Sequence, residues 1–98
     1  MNIKKYPKGY PECELIYLYK GKRLLIIDNR INRDFCSHED VIVWDKRLEM
    51  AIGFANFQED SSLKGYVPYG PHEIPIKGRS IGEFAQDAFS QLCFTLAD

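Results

Sequence analysis

SIGEFAQDAFSQLCFTLA, residues 80–97, decides the fold of this chain. Ile81, Phe84, Ala85, Ala88, Phe89, Leu92, Cys93 and Leu96 recur at three- and four-residue intervals. At about 100° per residue they fill one continuous arc of a helical wheel. Ser80 and Glu83 form an S-x-x-E capping box, which gives partners to two backbone N–H groups left over at a helix start. Gly78 lies just before the cap and lets the chain turn. A helix of this length is marginal alone in water, so its apolar face needs a cover, and the upstream chain reads as that cover.

Working back from the helix, residues 65–77 carry Pro68, Pro71 and Pro75. Proline cannot donate to a sheet ladder, so a strand here is expected at an edge or broken. Residues 58–64 read as a polar loop tip. Residues 48–57 fit a strand better than a helix, because Met50, Phe54 and Phe57 would make a second apolar helical face and Gly53 and Asn56 weaken a helix. Residues 41–44 (VIVW) form a short apolar strand, followed by a turn at Asp45-Lys46-Arg47, and residues 29–40 a polar loop. Cys13 to Lys20 and Arg23 to Asp28 are two runs rich in β-formers split by a short glycine-containing turn, the pattern of a β-hairpin. The second run is apolar on both faces, which places it inside the sheet. The expected fold is α+β: a mainly antiparallel sheet of four or five strands packed on one long C-terminal helix, in a single domain over residues 1–98.

The 98 residues hold no apolar run near the ~20 that a membrane span needs. The opening residues lack the apolar core of a secretory signal. Cys13, Cys36 and Cys93 form neither a CxxC nor an even disulfide framework. A cytoplasmic protein with reduced thiols, no cofactor, no metal and no membrane partner is expected. Net charge is −1, but residues 1–34 hold eight Lys/Arg against four Asp/Glu, and residues 35–63 hold two against six. Such an asymmetry either steers a charged partner or is spent in pairs within the fold.

Five groupings carry candidate chemistry. Cys36 and His38 stand two apart in a polar loop, as in half a metal site or an activated thiolate; an incidental surface pair is the plainer reading. His72-Glu73 has the groups for acid–base work, while Tyr66, Tyr69 and His72, stiffened by prolines, suit a contact surface or packing over a sheet edge. Lys20, Lys22, Arg23, Arg30 and Arg33 fall near one hairpin end and its exit, with Tyr17 and Tyr19 beside them, a mixture used to bind single-stranded nucleic acid; the pI of about 6.1 argues for a solvated hairpin tip instead. Phe94 falls off the apolar arc of the helix, either as an anchor for a homodimer or another partner or folded back in a frayed last turn. The acidic middle contributes Glu39, Asp40, Asp45, Glu49, Glu59 and Asp60. No phosphate-loop, dinucleotide, zincin or nucleophile-elbow motif is present.

Residues 65–96, with GYVPY, a proline turn and then G-x-S-x-x-E-F-x-x-x-A, resemble in outline the strand–turn–helix part of HicB-type antitoxins. The similarity covers a third of the chain and departs from that family at the proline-turn glycine, so no residue role is carried over.

The function expected from these residues is a non-enzymatic protein-binding module. It would be an inhibitor of the immunity-protein, antitoxin or phage anti-defence (anti-CRISPR) type, acting by surface and charge complementarity. Glu39, Asp40, Asp45, Glu59, Asp60, Tyr66, Tyr69, His72 and Phe94 would meet the partner, a nuclease or another nucleic-acid-binding enzyme with a cationic groove. Nucleic-acid binding through Lys20, Lys22, Arg23, Arg30 and Arg33 is the alternative. A small thiol or histidine enzyme using Cys36, His38 or His72 is a third.

Overall fold

The structure is a computed structural model and describes residues 9–10, 13–33 and 37–91. Six strands and one helix follow in order: β1 (Ile16–Lys20), β2 (Leu24–Asp28), β3 (Val41–Asp45), β4 (Met50–Phe57), β5 (Leu63–Tyr69), β6 (His72–Gly78) and α1 (Ile81–Gln91), with a short 3-10 turn at Arg30–Asn32. Every strand pairs antiparallel with its neighbour in sequence, so the sheet is a six-stranded meander. This is the α+β architecture expected, with one or two more strands. The difference lies in the proline-rich stretch, which forms two strands joined by the two-residue turn Gly70-Pro71. Gly70 has φ 58° and Pro71 holds a negative φ, the combination of a type II′ hairpin turn.

The prolines fit for separate reasons. β4 and β5 stop pairing at Phe54↔Tyr66, so Pro68 lies past the last rung. Because Pro75 has no N–H, the bonded pairs of the β5–β6 hairpin must be the intervening ones, and the nitrogens of residues 73, 75 and 77 face away from β5. The outward N–H of Lys77 donates to Asp87 Oδ2 at 2.8 Å, which occupies part of an edge that would otherwise invite another strand.

Residues 48–57 are a strand, as their poor fit to a helix implies, although it starts at Met50 because residues 46–49 turn the chain with Glu49 at φ 57°. Gly65 is obligatory for the close approach of β4 and β5. A Cβ there would lie 1.9 Å from the Phe54 carbonyl oxygen and 2.6 Å from Ala55 Cβ.

The inner face of the sheet carries Leu24, Ile26, Val41, Val43, Ala55, Leu63, Val67 and Ile76, which pack with Phe84, Ala85 and Ala88 of α1. These three helix residues belong to the arc read from the sequence, joined by Ile81 and Phe89 at its border. α1 packs chiefly on β6 and also meets β1 at the opposite edge, as sheet twist allows. Ser80 caps its start as the S-x-x-E pattern implies, while Glu83 reaches back one residue beyond the cap. Glu83 N–H donates to Ser80 Oγ at 3.2 Å, and the Glu83 carboxylate accepts from Arg79 N–H at 2.9 Å. Leu92, Cys93, Phe94 and Leu96 lie outside the described residues.

β2 and β3 are buried on both faces. On the outer side Leu25, Ile27, Ile42 and Trp44 pack with Tyr10, whose ring meets Trp44 edge-on at 4.8 Å. The segment before β1 therefore covers this half of the outer face. Among the described residues no helix is long and apolar enough to cross a membrane.

Candidate functional site

In a nearest-neighbour meander the connections alternate between two ends of the sheet, and that topology sorts the charged residues. The 21–23, 46–49 and 70–71 turns lie at one end. The 29–40 connection, the 58–62 turn and the start of α1 lie at the other.

The second end holds most of the acidic candidates, and they are not equivalent. Asp40 is spent on the fold: its carboxylate pairs with Arg33 and accepts from Phe57 N–H at 2.9 Å, while its own N–H donates to Asn56 Oδ1 at 3.0 Å. Asp28 and Arg30 form a second pair at 2.7 Å, with the Arg30 guanidinium 4.6 Å above the Phe57 ring. The Arg30 bond holds the Asp28 carboxyl below its usual range against the opposing cost of burial. Buried Asn29 ties the same connection down, donating from Nδ2 to the carbonyls of Ser37 and Glu39, each at 3.0 Å.

Glu39, Glu59 and Asp60 are in none of the ion pairs found among the described residues. Glu39 accepts from the Ser37 hydroxyl. Asp60 accepts from the Ser62 hydroxyl at 2.6 Å and Ser62 N–H at 3.0 Å, and these bonds lower its carboxyl pKa. This fixes a charged carboxylate at the tip of an exposed turn.

Tyr66 adjoins these residues on the outer face of β5, beyond the reach of α1. Its ring stands 5.9 Å from that of Phe54, and its hydroxyl lies 3.5 Å from Glu39 Oε2. Burial and then the charges of Glu39 and Glu73 raise its pKa, so the phenol keeps its proton and stays a donor. A shallow depression beside it is lined by Lys64, Gly65, Glu73 and Pro75. Lys64 and Lys77 stand directly opposite each other across β5 and β6, so the surface mixes signs at its border.

The remaining expected contact residues do not join this group. Asp45 is fully buried at the other end of the sheet, bonded to Arg23. His72 is exposed in the 70–71 turn region, also at that far end, and the backbone of Tyr69 pairs with it. Phe94 lies outside the described residues. The five cations of the nucleic-acid reading are split as well. Lys20, Lys22 and Arg23 sit at one end, Arg30 and Arg33 at the other, and Arg23, Arg30 and Arg33 are each in an ion pair. The basic first third and the acidic middle are thus partly spent on each other, through Arg23–Asp45 and Arg33–Asp40.

His38, in the 29–40 connection, and His72 lie at opposite ends of the sheet, and Cys36 falls outside the described residues. Two features escaped the sequence reading. Glu73 flanks Tyr66, which only strand register reveals. Lys46 and Arg47, read merely as a turn, extend the cationic end beside Lys22. Compared with known proteins, the chain matches no family model, no curated protein and no solved structure.

Proposed function

We propose that this protein is a non-enzymatic binding module that inhibits another protein through the outer face around Tyr66 and the adjoining loops carrying Glu39, Glu59 and Asp60. The partner is a protein with a cationic surface, in the first instance a nuclease or another nucleic-acid-binding enzyme. The observation that carries this reading is the position of Tyr66. Among the described residues it sits on a part of the outer face that neither α1 nor Tyr10 covers, beside a second aromatic ring and between two carboxylates. Tyrosines on rigid strands contribute contact area at little entropic cost, and unpaired carboxylates around them favour a cationic partner and disfavour anionic ones. Immunity proteins, antitoxins and phage anti-defence inhibitors work by such complementarity, and a cytoplasmic setting suits all three.

The test is affinity capture from the source cells with three baits: the native protein, Tyr66→Ala, and the surface variant Glu59→Lys/Asp60→Lys. A basic protein held by the native bait, released by salt, and lost from both variants supports the reading. The same proteins captured equally by all three would reject it. The double charge reversal alters exposed side chains only, so its result stands even if Tyr66→Ala folds poorly.

A further inference from the structure

We propose that the end of the sheet formed by the 21–23 and 46–49 turns docks on the surface of anionic lipid. The two turns are one rigid body. Lys46 N–H donates to the Arg23 carbonyl at 2.9 Å, and the buried Asp45 carboxylate holds both the Arg23 guanidinium and the Arg47 and Leu48 N–H groups. Asp45 and Arg23 cancel each other there. Lys22, Lys46 and Arg47 are exposed and in no ion pair found among the described residues. Lys20 stands beside them, its ammonium 5.1 Å over the Tyr17 ring. Glu49 is the only carboxylate in residues 46–49.

Next to these cations along the chain, two large aliphatic side chains are exposed, Leu48 at 53% and Met50 at 51%. Cations alone would serve any polyanion. Exposed Leu and Met add nothing to a phosphate backbone, and nucleic-acid sites of this kind use aromatic faces to stack bases. A bilayer surface takes both kinds of group, with lipid phosphates against the Lys/Arg and the acyl boundary around the aliphatic chains. The lack of a spanning segment, from which no membrane partner was expected, does not bear on a surface contact, which needs no span. The tip lies at the opposite end of the sheet from Glu59 and Asp60, so the two proposals stand or fall separately.

The test is flotation of the whole protein with vesicles of phosphatidylcholine alone and of equimolar phosphatidylcholine and phosphatidylglycerol, with oligothymidylate binding measured in the same low-salt buffer. The expected result is binding to the mixed vesicles only. It should be abolished in Lys22→Glu/Lys46→Glu/Arg47→Glu and weakened about tenfold in Leu48→Ser/Met50→Ser, where the apolar contribution is removed. Lys46→Glu and Arg79→Glu are equal charge changes at the two ends of the sheet; the first should weaken binding and the second should bind as the native protein does. Failure to float with the mixed vesicles overturns the proposal, whether or not the oligonucleotide is bound. So does native-like binding by Leu48→Ser/Met50→Ser, which would reduce the site to a general polyanion contact.

Discussion

The Arg23 guanidinium grips the Asp45 carboxylate across two neighbouring turns, with Nη2 3.0 Å from Oδ2 and Nε 3.2 Å from each oxygen. Asp45 is fully buried and Arg23 nearly so, with side-chain exposures of 0% and 15%. Removing one partner strands a charge away from water, which is far more costly than the pair is stabilising. Arg23→Ala should therefore lower the unfolding free energy by about 3 kcal/mol. Urea unfolding measures it, and a loss under about 1 kcal/mol, the level of an exposed pair, would contradict the account.

The same carboxylate gives stability an acid limb. Burial pushes the Asp45 pKa up, but Arg23 and the Leu48 and Arg47 N–H groups together pull it down further, and the net direction is downward. Asp28 is lowered by Arg30 in the same sense. A carboxyl lowered in the folded state contributes stability that is complete above its unfolded pKa of about 3.9 and is lost as pH falls toward the folded value. Unfolding free energy should accordingly change little on account of these groups above about pH 5 and drop below about pH 4. In Asp45→Asn the deficit relative to the native protein should shrink as pH falls through that window. A deficit that stays constant would mean that the charge on Asp45 is not what stabilises the turns.

Two glycines should be destabilised by alanine to very different degrees. At Gly65 the added Cβ would meet the Phe54 carbonyl oxygen at 1.9 Å, whereas at Gly70 it would find nothing within 4 Å. Gly65→Ala must push β4 from β5 and should cost about 3 kcal/mol or more, by analogy with overpacked cores. Gly70→Ala incurs only the strain of its positive φ, about 1 kcal/mol. Thermal unfolding of the two variants orders them, and equal midpoints would refute the close approach.

The helix cap admits a smaller test. Ser80 Oγ satisfies Glu83 N–H at 3.2 Å, so Ser80→Ala should cost about 1 kcal/mol. Phe84→Ala, which empties a fully buried site against the sheet, should cost about 3–5 kcal/mol. If the two losses were similar, α1 would not be docked on the inner face.

How much of this was legible depended on whether the signal was local. The S-x-x-E cap, the 3.6-residue arc through Phe84 and Ala88, and the β1–β2 hairpin are encoded within a few residues, and all appear in the structure. The strand count is not legible from the presence of proline alone. Pro68 is tolerated since β4 has already stopped pairing, and Pro75 since its nitrogen faces outward, and both facts belong to register. The charged residues were the least legible. Asp45 and Glu59 look alike in a sequence, yet one is buried against Arg23, 22 positions earlier, and the other is exposed on a turn. Grouping Arg30 and Arg33 with Lys22 followed chain proximity, and β2 carries them to the opposite end of the sheet.

The central functional claim is that unpaired carboxylates at the 58–62 turn steer a cationic protein onto the Tyr66 face. Its most direct test is the association rate of the captured partner across a range of salt concentrations, for the native protein and for Glu59→Lys/Asp60→Lys. The native rate should fall steeply with salt, and the variant should associate about tenfold more slowly at low salt with a flattened dependence. Identical rates and slopes for the two proteins would contradict recognition through this face.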